Sequence, residues 1–352
     1  MMEEHLNFGI YEYKGAIHIH SKYSDGGCGI KGIVKEAQKA GLDYIILTDH
    51  ESLQALKDGY EGWYDNVLLL VGEEITPRGG YHYLALGIEA EIIGKQFIQV
   101  QHFIDRVSAS GGIGIIAHPF GNRTRLLEIR KNSWQNWDVK GYTGIEIWSY
   151  MIDWIDNVTP LTLLKYYFYP DKAIDGPKPE ALKRWDEIAQ TRHIVGIGSL
   201  DAHGRPTPIL WFLKPLSYKH LFKTIRTHIL TTAPLAQQSL NESKKLVYDA
   251  IRAGRCFFAY DFLADSTGFR FAGLMNQTVS ILMGDEINLN GNVSLQASAP
   301  APAELRLIRN GKQIKSEYGK KIEFETDQTG AYRVEVYYDN RPWIFSNHLF
   351  LR

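Results

Sequence analysis

"KGAIHIHSKYSDGG", residues 14–27, sets His18 and His20 at the end of a short apolar run and follows them with Asp25 in a Gly-rich turn. Residues two apart on a strand project from one face, so both imidazoles can approach a single cation while Ile17 and Ile19 pack behind them. Alone, the pair also fits a half-exposed strand. Recurrence decides the reading. "YIILTDH" (44–50) ends on Asp49 and His50, "VLLLVGEEI" (67–75) closes with Glu73 and Glu74, "IGIIAHPF" (113–120) carries His118, and "IVGIGSLDAH" (194–203) ends on Asp201 and His203. Each apolar run has its polar residues at the C-terminal end.

Between these runs lie amphipathic segments. "GIVKEAQKAG" (32–41) puts Ile33, Val34 and Ala37 on one face and stops at Gly41. "KQFIQVQHFIDRVSASGG" (95–112) repeats Phe97, Val100, Ile104 and Val107 at helical spacing before Gly111-Gly112. The alternation, from Gly15 to about Asp261, predicts β/α units with parallel strands, whose C-terminal ends converge on one face where sites are built. "YHYLALGI" (81–88) reads as an additional strand, and residues 150–180, rich in Tyr, Trp and Pro, read as an insertion over one mouth of the domain.

"SLNESKKLVYDAIRAG" (239–254) opens with a Ser239/Glu242 capping box and closes at Gly254, ahead of the strand-like "CFFAYDF" (256–262). After about Ser266 the helical period gives way to short alternating strands and an Asn310-Gly311 hairpin signal. The expected division is therefore 1–265, an α/β domain with an insertion near 150–180, and 266–352, a β-sandwich of immunoglobulin-like type.

A chain of 352 residues can bury a substantial core and carry a second, smaller domain. Its formal net charge of -1 offers no global attraction to nucleic acid or acidic membranes, so small or weakly charged partners are expected, with no stable nucleic-acid partner and no membrane. Oligomeric state is left open. The two cysteines, Cys28 and Cys256, argue against a disulfide framework and a thiolate zinc site. The opening residues lack the basic start and apolar core of a signal peptide, and the expected location is cytoplasmic.

A cluster this rich in histidine and carboxylate suits zinc, iron or manganese, and roughly ten candidate donors exceed the roughly four to six that one ion takes. More than one metal is expected. Arg123 and Arg125, following His118-Pro119, could clamp an anionic substrate group or stand as solvated loop arginines. Glu146 in "GIEIW" could reach the mouth of the domain or make a structural hydrogen bond. His5, His102, His193, His220, His228 and His348 lie outside the motifs and read as surface or structural residues.

Taken in order, "HIH…SDGG", "TDH", "GEEI…YHYLALGI", "GIIAHPFG" and "GSLDAH" resemble the PHP family, named for polymerase and histidinol phosphatase, over residues 15–203. The resemblance implies a distorted (β/α)7 barrel of PHP type, here followed by a small all-β sandwich, and two or three divalent metal ions (Zn, Fe or Mn). Carried over by motif, His18, His20, Glu74 and Asp201 would surround the first ion. Glu74 would bridge to a second ion held with His82 and His118, and Asp25, His50 and His203 would hold the third. Glu74 is chosen over Glu73 because the family pattern places the acid two residues after Gly and before an apolar residue.

Asp49 would support the ligands from behind or relay a proton, and His203 is a further candidate for passing a proton to the leaving group. The implied activity is that of a metal-dependent phosphoesterase acting on a small phosphate ester, nucleotide or short oligonucleotide through a metal-bridging hydroxide. The downstream β region and "RPWIFSNHLFLR" (341–352) also resemble a carbaryl hydrolase-like branch, which implies carboxylic or carbamic ester hydrolysis instead. A non-catalytic metal-binding module is the third reading.

Overall fold

Val67–Ile75 is buried along its whole length, as a strand covered on both faces must be. In the computed structural model, which describes residues 9–97, 99–121, 133–205, 216–235, 238–275 and 279–352, this strand lies inside a mixed sheet. The chain forms two compact units, one of residues 15–178 and 198–226, the other of residues 179–197, 227–352 and those preceding Gly15.

The first unit is built on β1 (Tyr11–Ile19), β2 (Tyr44–His50), β3 (Gly62–Tyr64), β4 (Val67–Ile75), β5 (Tyr83–Leu86), β6 (Ile113–Ile116) and β7 (Gly144–Ser149). β1, β2 and β4 run parallel in that order. The helix Ile30–Ala40 supplies the crossover from β1 to β2, burying Ile30, Ile33, Val34 and Ala37 and ending at Gly41 in the left-handed conformation. β5 is antiparallel to both β4 and β6, and β6 is parallel to β7. The strict βα alternation expected from the sequence is thus interrupted. Residues 76–82 are too few for a crossover, which needs a dozen or more, so β5 must return antiparallel.

Beyond β8 (Val195–Ser199) the chain continues beside β1: Leu200 N donates to Ile17 O at 3.2 Å, Ala202 N to His18 O at 3.0 Å, and His20 N to Ala202 O at 2.9 Å. The ends of β1 and β8, which carry three of the candidate ligands, are therefore laced together. Between β5 and β6, the helix Val100–Ala109 starts later than its apolar run, because Gly94–Gln96 forms a separate 3₁₀ turn ahead of it.

In the second unit, β9 (Ile225–Thr231) pairs with β10 (Cys256–Tyr260). The remaining strands are β11 (Arg270–Met275), β12 (Val279–Leu282), β13 (Glu286–Ile287), β14 (Val293–Arg309), β15 (Lys312–Thr326), β16 (Gly330–Tyr338), β17 (Arg341–Ser346) and β18 (Leu349–Leu351). The predicted capping box is present at Ser239 and Glu242, on the helix Leu240–Ala253. Asn310 and Gly311, with φ of 50° and 78°, turn β14 into β15. The β14–β15 register breaks between Ser298 and Ala303, where Pro300 and Pro302 lack the N–H that a ladder needs. Before the break β14 pairs with β11; after it, with β16.

This unit does not begin at residue 266. β10 pairs antiparallel with β17, Phe258 opposite Phe345, and its Phe257 joins Leu305, Val334, Trp343 and Ile344 in one core. The helix Pro179–Ala189 belongs here too: Arg333 grips Asp186 with Nε and Nη2, both at 2.7 Å, and His348 Nε2 lies 2.9 Å from the same carboxylate. Such pairings join residues far apart in sequence, beyond what local composition records. Among the described residues no helix is long and apolar enough to cross a membrane.

Candidate metal centre

Three candidate ligands have backbone conformations that L-residues rarely adopt: His18 (φ 67°), His118 (φ 27°) and Asp201 (φ 51°). Each costs about 1–3 kcal/mol and persists where the surroundings over-determine it, as at a functional site. The β1–β2 register slips between Ile17 and Ile19, so His18 occupies an irregularity and His20 lies just beyond the strand. The two imidazoles still converge, with ring centroids 5.2 Å apart. They do so through this irregularity rather than through a regular strand period.

Glu74 is the hub. Its Oε1 is 3.2 Å from His18 Nε2, 2.8 Å from His82 Nδ1 and 3.4 Å from His118 Nε2. Its Oε2 is 3.3 Å from His20 Nε2 and 3.1 Å from His50 Nδ1. Asp201 Oδ1 faces His18 Nε2 at 3.4 Å, His20 Nε2 at 3.3 Å and His203 Nδ1 at 3.6 Å. Asp25 Oδ1 faces His203 Nε2 at 3.2 Å, His20 Nδ1 at 3.6 Å and His50 Nε2 at 3.9 Å. The structure thus brings together His18, His20, Asp25, His50, Glu74, His82, His118, Asp201 and His203. Glu73, next along β4, points the other way and accepts from Ile92 N at 2.7 Å.

Donor atoms within 4.8 Å of one another fall into overlapping sets: His18/His20/Glu74, His18/His118/Asp201, His50/Glu74/His82 and His20/Asp25/His50/His203. The motif-based assignment gave His118 and His50 to single ions; here His118 also groups with His18 and Asp201, and His50 also with Glu74 and His82. Among the described residues, buried His18 Nε2, both ring nitrogens of His20 and His118 Nδ1 have no partner in hydrogen-bonding geometry. An unsatisfied buried polar atom costs about 1–3 kcal/mol, so nitrogens bare among carboxylates fit the coordination of divalent metal.

The electrostatics of the metal-free cluster agree. Burial opposes a charged His18, but the carboxylates of Glu74, Glu146 and Asp201 outweigh it and raise its pKa well above the usual histidine value. Against burial, His82 and His18 hold Glu74 well below the usual carboxylate range, and His18 and His203 do the same for Asp201. His203 is likewise pushed up to about 9 despite burial, by Asp201 and Asp25. His50 goes the other way, to about 4, because burial and the neighbouring His20 and His82 outweigh the attraction of Glu74. A cation bound among these carboxylates would compete with the protons they favour on His18 and His203.

Several residues support the cluster from behind. Glu146, on β7, receives His18 Nδ1 at 2.9 Å with one oxygen and the His118 backbone N–H at 2.6 Å with the other. Such a partner fixes the histidine tautomer and aims Nε2 at the site. The Tyr218 hydroxyl lies 2.6 Å from His20 O and 2.7 Å from His203 O. Thr76 Oγ1 lies 2.8 Å from His50 Nδ1.

Asp49 is outside the donor cluster. Its oxygens accept from Ser21 N and Ser21 Oγ, both at 2.7 Å, and from Ser24 Oγ at 2.6 Å, fastening the turn that carries Asp25. Gly26 and Gly27 serve that turn by close approach: a Cβ would lie 2.3 Å from His20 O at the first and 2.6 Å from Gly204 O at the second. Arg123 and Arg125 lie outside the described residues. Glu146 follows the same strand-end pattern as the ligands and could have been placed by it. Tyr218 acts on carbonyls far away in sequence, and no motif announces it.

Residues 16–165 match the family model described as the PHP domain. The resemblance carried by the histidine and carboxylate motifs is borne out over these residues. It is similar, at 28% identity over 31% of its length, to the DNA polymerase/3'-5' exonuclease PolX of Bacillus subtilis (strain 168). The match spans only 24% of that relative.

Among solved structures, it is similar to a two-domain protein from Bacteroides vulgatus ATCC 8482 described as containing a predicted PHP-like metal-dependent phosphoesterase. That similarity has a TM-score of 0.49 and 15% identity, covering 97% of this chain and 96% of that one. A second solved structure, endonuclease Q with a 27-mer duplex substrate bearing an abasic lesion, has a TM-score of 0.40 and 12% identity, covering 67% of this chain and 57% of that one.

Proposed function

We propose that the protein is a metal-dependent phosphoesterase acting on a small phosphate ester, nucleotide or short oligonucleotide. The observation that carries this reading is the convergence of histidine and carboxylate donors on Glu74, with buried imidazole nitrogens left bare. His18, His20, Glu74 and Asp201 would hold one ion, Glu74 with His82 and His118 a second, and Asp25, His50 and His203 a third. When bound, two or three divalent ions (Zn, Fe or Mn) supply Lewis-acid polarisation of substrate oxygens and make water nucleophilic near neutral pH.

The protein's own groups do the positioning. Glu146 keeps His18 Nε2 turned toward Glu74 and Asp201, and Tyr218 ties the backbones of His20 and His203 together. Asp49 acts here as a positioning residue for the 21–25 turn, since its oxygens are taken up by Ser21 and Ser24. His203 is read as a ligand rather than a proton donor: its Nδ1 lies 2.9 Å from Asp201 O and its Nε2 faces Asp25. The distorted barrel implied by the motifs fits the first unit, in which β5 supplies the departure from regular alternation.

A side-by-side assay of metal-reconstituted protein on p-nitrophenyl phosphate, bis(p-nitrophenyl) phosphate, p-nitrophenyl acetate and an aryl carbamate tests the reading. Turnover of a phosphate ester is expected. Turnover confined to the acetate or carbamate would replace it with the carboxylic or carbamic ester hydrolase reading.

A further inference from the structure

Arg205, two residues beyond His203, is a cation held at the edge of the donor cluster. Its guanidinium Nη2 is 3.2 Å from Asp25 Oδ2, and its Nε donates to the Asp25 backbone carbonyl. The Asp25 carboxylate is thereby divided: Oδ1 faces His20, His50 and His203, while Oδ2 faces Arg205. A cation bound on the Oδ1 side would leave the arginine contact in place.

The backbone beneath Arg205 is equally fixed. Gly27 N donates to His203 O at 2.7 Å, and a Cβ on Gly27 would lie 2.6 Å from Gly204 O and 3.2 Å from Arg205 Cα. Gly204 itself adopts φ 57° under the Tyr218 ring. The side chain leaves this packed base still 54% exposed. Among the described residues its two contacts use Nε and Nη2, and a guanidinium presents five donors in a rigid fork. A half-solvated guanidinium, anchored on one edge to a candidate ligand carboxylate, has its other edge available for an acceptor beside the site.

We propose that Arg205 binds a non-bridging anionic oxygen of the substrate, and so selects phosphate monoesters over neutral esters at this centre. The proposal rests on the phosphoesterase reading and narrows it: a monoester dianion keeps a peripheral negative oxygen for Arg205, whereas a carboxylic or carbamic ester has none. Asp25 orients the guanidinium, and Arg205 recognises charge without taking part in bond cleavage.

The experiment uses the full chain, metal-reconstituted, as wild type, Arg205→Ala and Arg205→Lys, with metal content measured for each. Binding of inorganic phosphate is followed by calorimetry, and KM and kcat are measured on p-nitrophenyl phosphate. Loss of a charged hydrogen bond predicts phosphate binding weaker by about 10- to 100-fold in Arg205→Ala, with smaller loss in Arg205→Lys and unchanged metal content. The KM for the monoester is expected to rise more than kcat falls.

Unchanged phosphate affinity in Arg205→Ala, or wild type that binds no phosphate, would overturn the proposal. So would an affinity loss matched by metal loss, which would make Arg205 only a prop for Asp25. Because phosphate binding is read without turnover, wild type that binds phosphate through Arg205 yet hydrolyses no phosphate ester would sink the phosphoesterase reading alone.

Discussion

Glu74 lies within 3.4 Å of nitrogens from His18, His20, His50, His82 and His118, so one buried carboxylate sets the charge balance of the whole cluster. The carboxylate behind it, Glu146, adds to that charge and also sets direction, because its contact to His18 Nδ1 leaves Nε2 for the centre. Glu146→Gln keeps the shape but loses the charged acceptor. It is expected to weaken metal affinity or activity by about 10- to 100-fold, with little change in folding, as read by metal titration and circular dichroism. Wild-type affinity in that variant would show that His18 is oriented by packing alone. At this scale the sequence was informative where a residue of the cluster sits at the end of an apolar run, as at His18, His20, His50 and Asp201. It was less so for Glu73 and Glu74, adjacent and chemically alike, whose faces only the β4 pairing separates. Tyr218 was illegible because it works through the carbonyls of His20 and His203, and backbone contacts of that span leave no residue pattern.

The 21–27 turn connects residue chemistry to the fold. It is pinned by Asp49 through Ser21 and Ser24, and laid against residues 203–204 by Gly26 and Gly27. Gly27→Ala puts a methyl group 2.6 Å from Gly204 O, so the turn must move away from His203. Overpacking of this kind costs about 1–3 kcal/mol. The expected outcome is a lower melting temperature together with weaker retention of the ion that Asp25, His50 and His203 are proposed to hold; full retention would mean that this ion does not depend on the turn. Elements encoded by local hydrogen bonds were legible, such as the Ser239/Glu242 capping box and the Asn310-Gly311 hairpin. The antiparallel β5 and the seventeen-residue β14 were not, since the first follows from a connection length and the second from two prolines that interrupt a ladder without ending the strand.

For the whole molecule, the cluster couples metal, protons and stability. In the metal-free protein His203 has its pKa raised from 6.5 to about 9, so its ion pairing stabilises the fold fully below pH 6.5 and is lost as pH rises through about 9. Asp25 is depressed from 3.8 to about 2, so its share is present above pH 3.8 and is lost as pH falls toward 2. Metal requires His203 neutral and therefore competes with the proton. The gain in melting temperature on adding metal is expected to be larger at pH 9 than at pH 6.5; an equal gain at both would argue that His203 is not a ligand. Residues 179–197 and 227–265 cluster with the later strands through the pairing of β10 with β17 and of Asp186 with Arg333, contacts that no local shift in composition marks. The resemblance to the PHP domain was legible because the histidines and carboxylates that carry it follow one another in order along the strands. The most direct test of the central claim is the metal content of protein purified without chelators and measured by mass spectrometry: two or three divalent ions per chain are predicted, and fewer than two would contradict a polynuclear centre around Glu74.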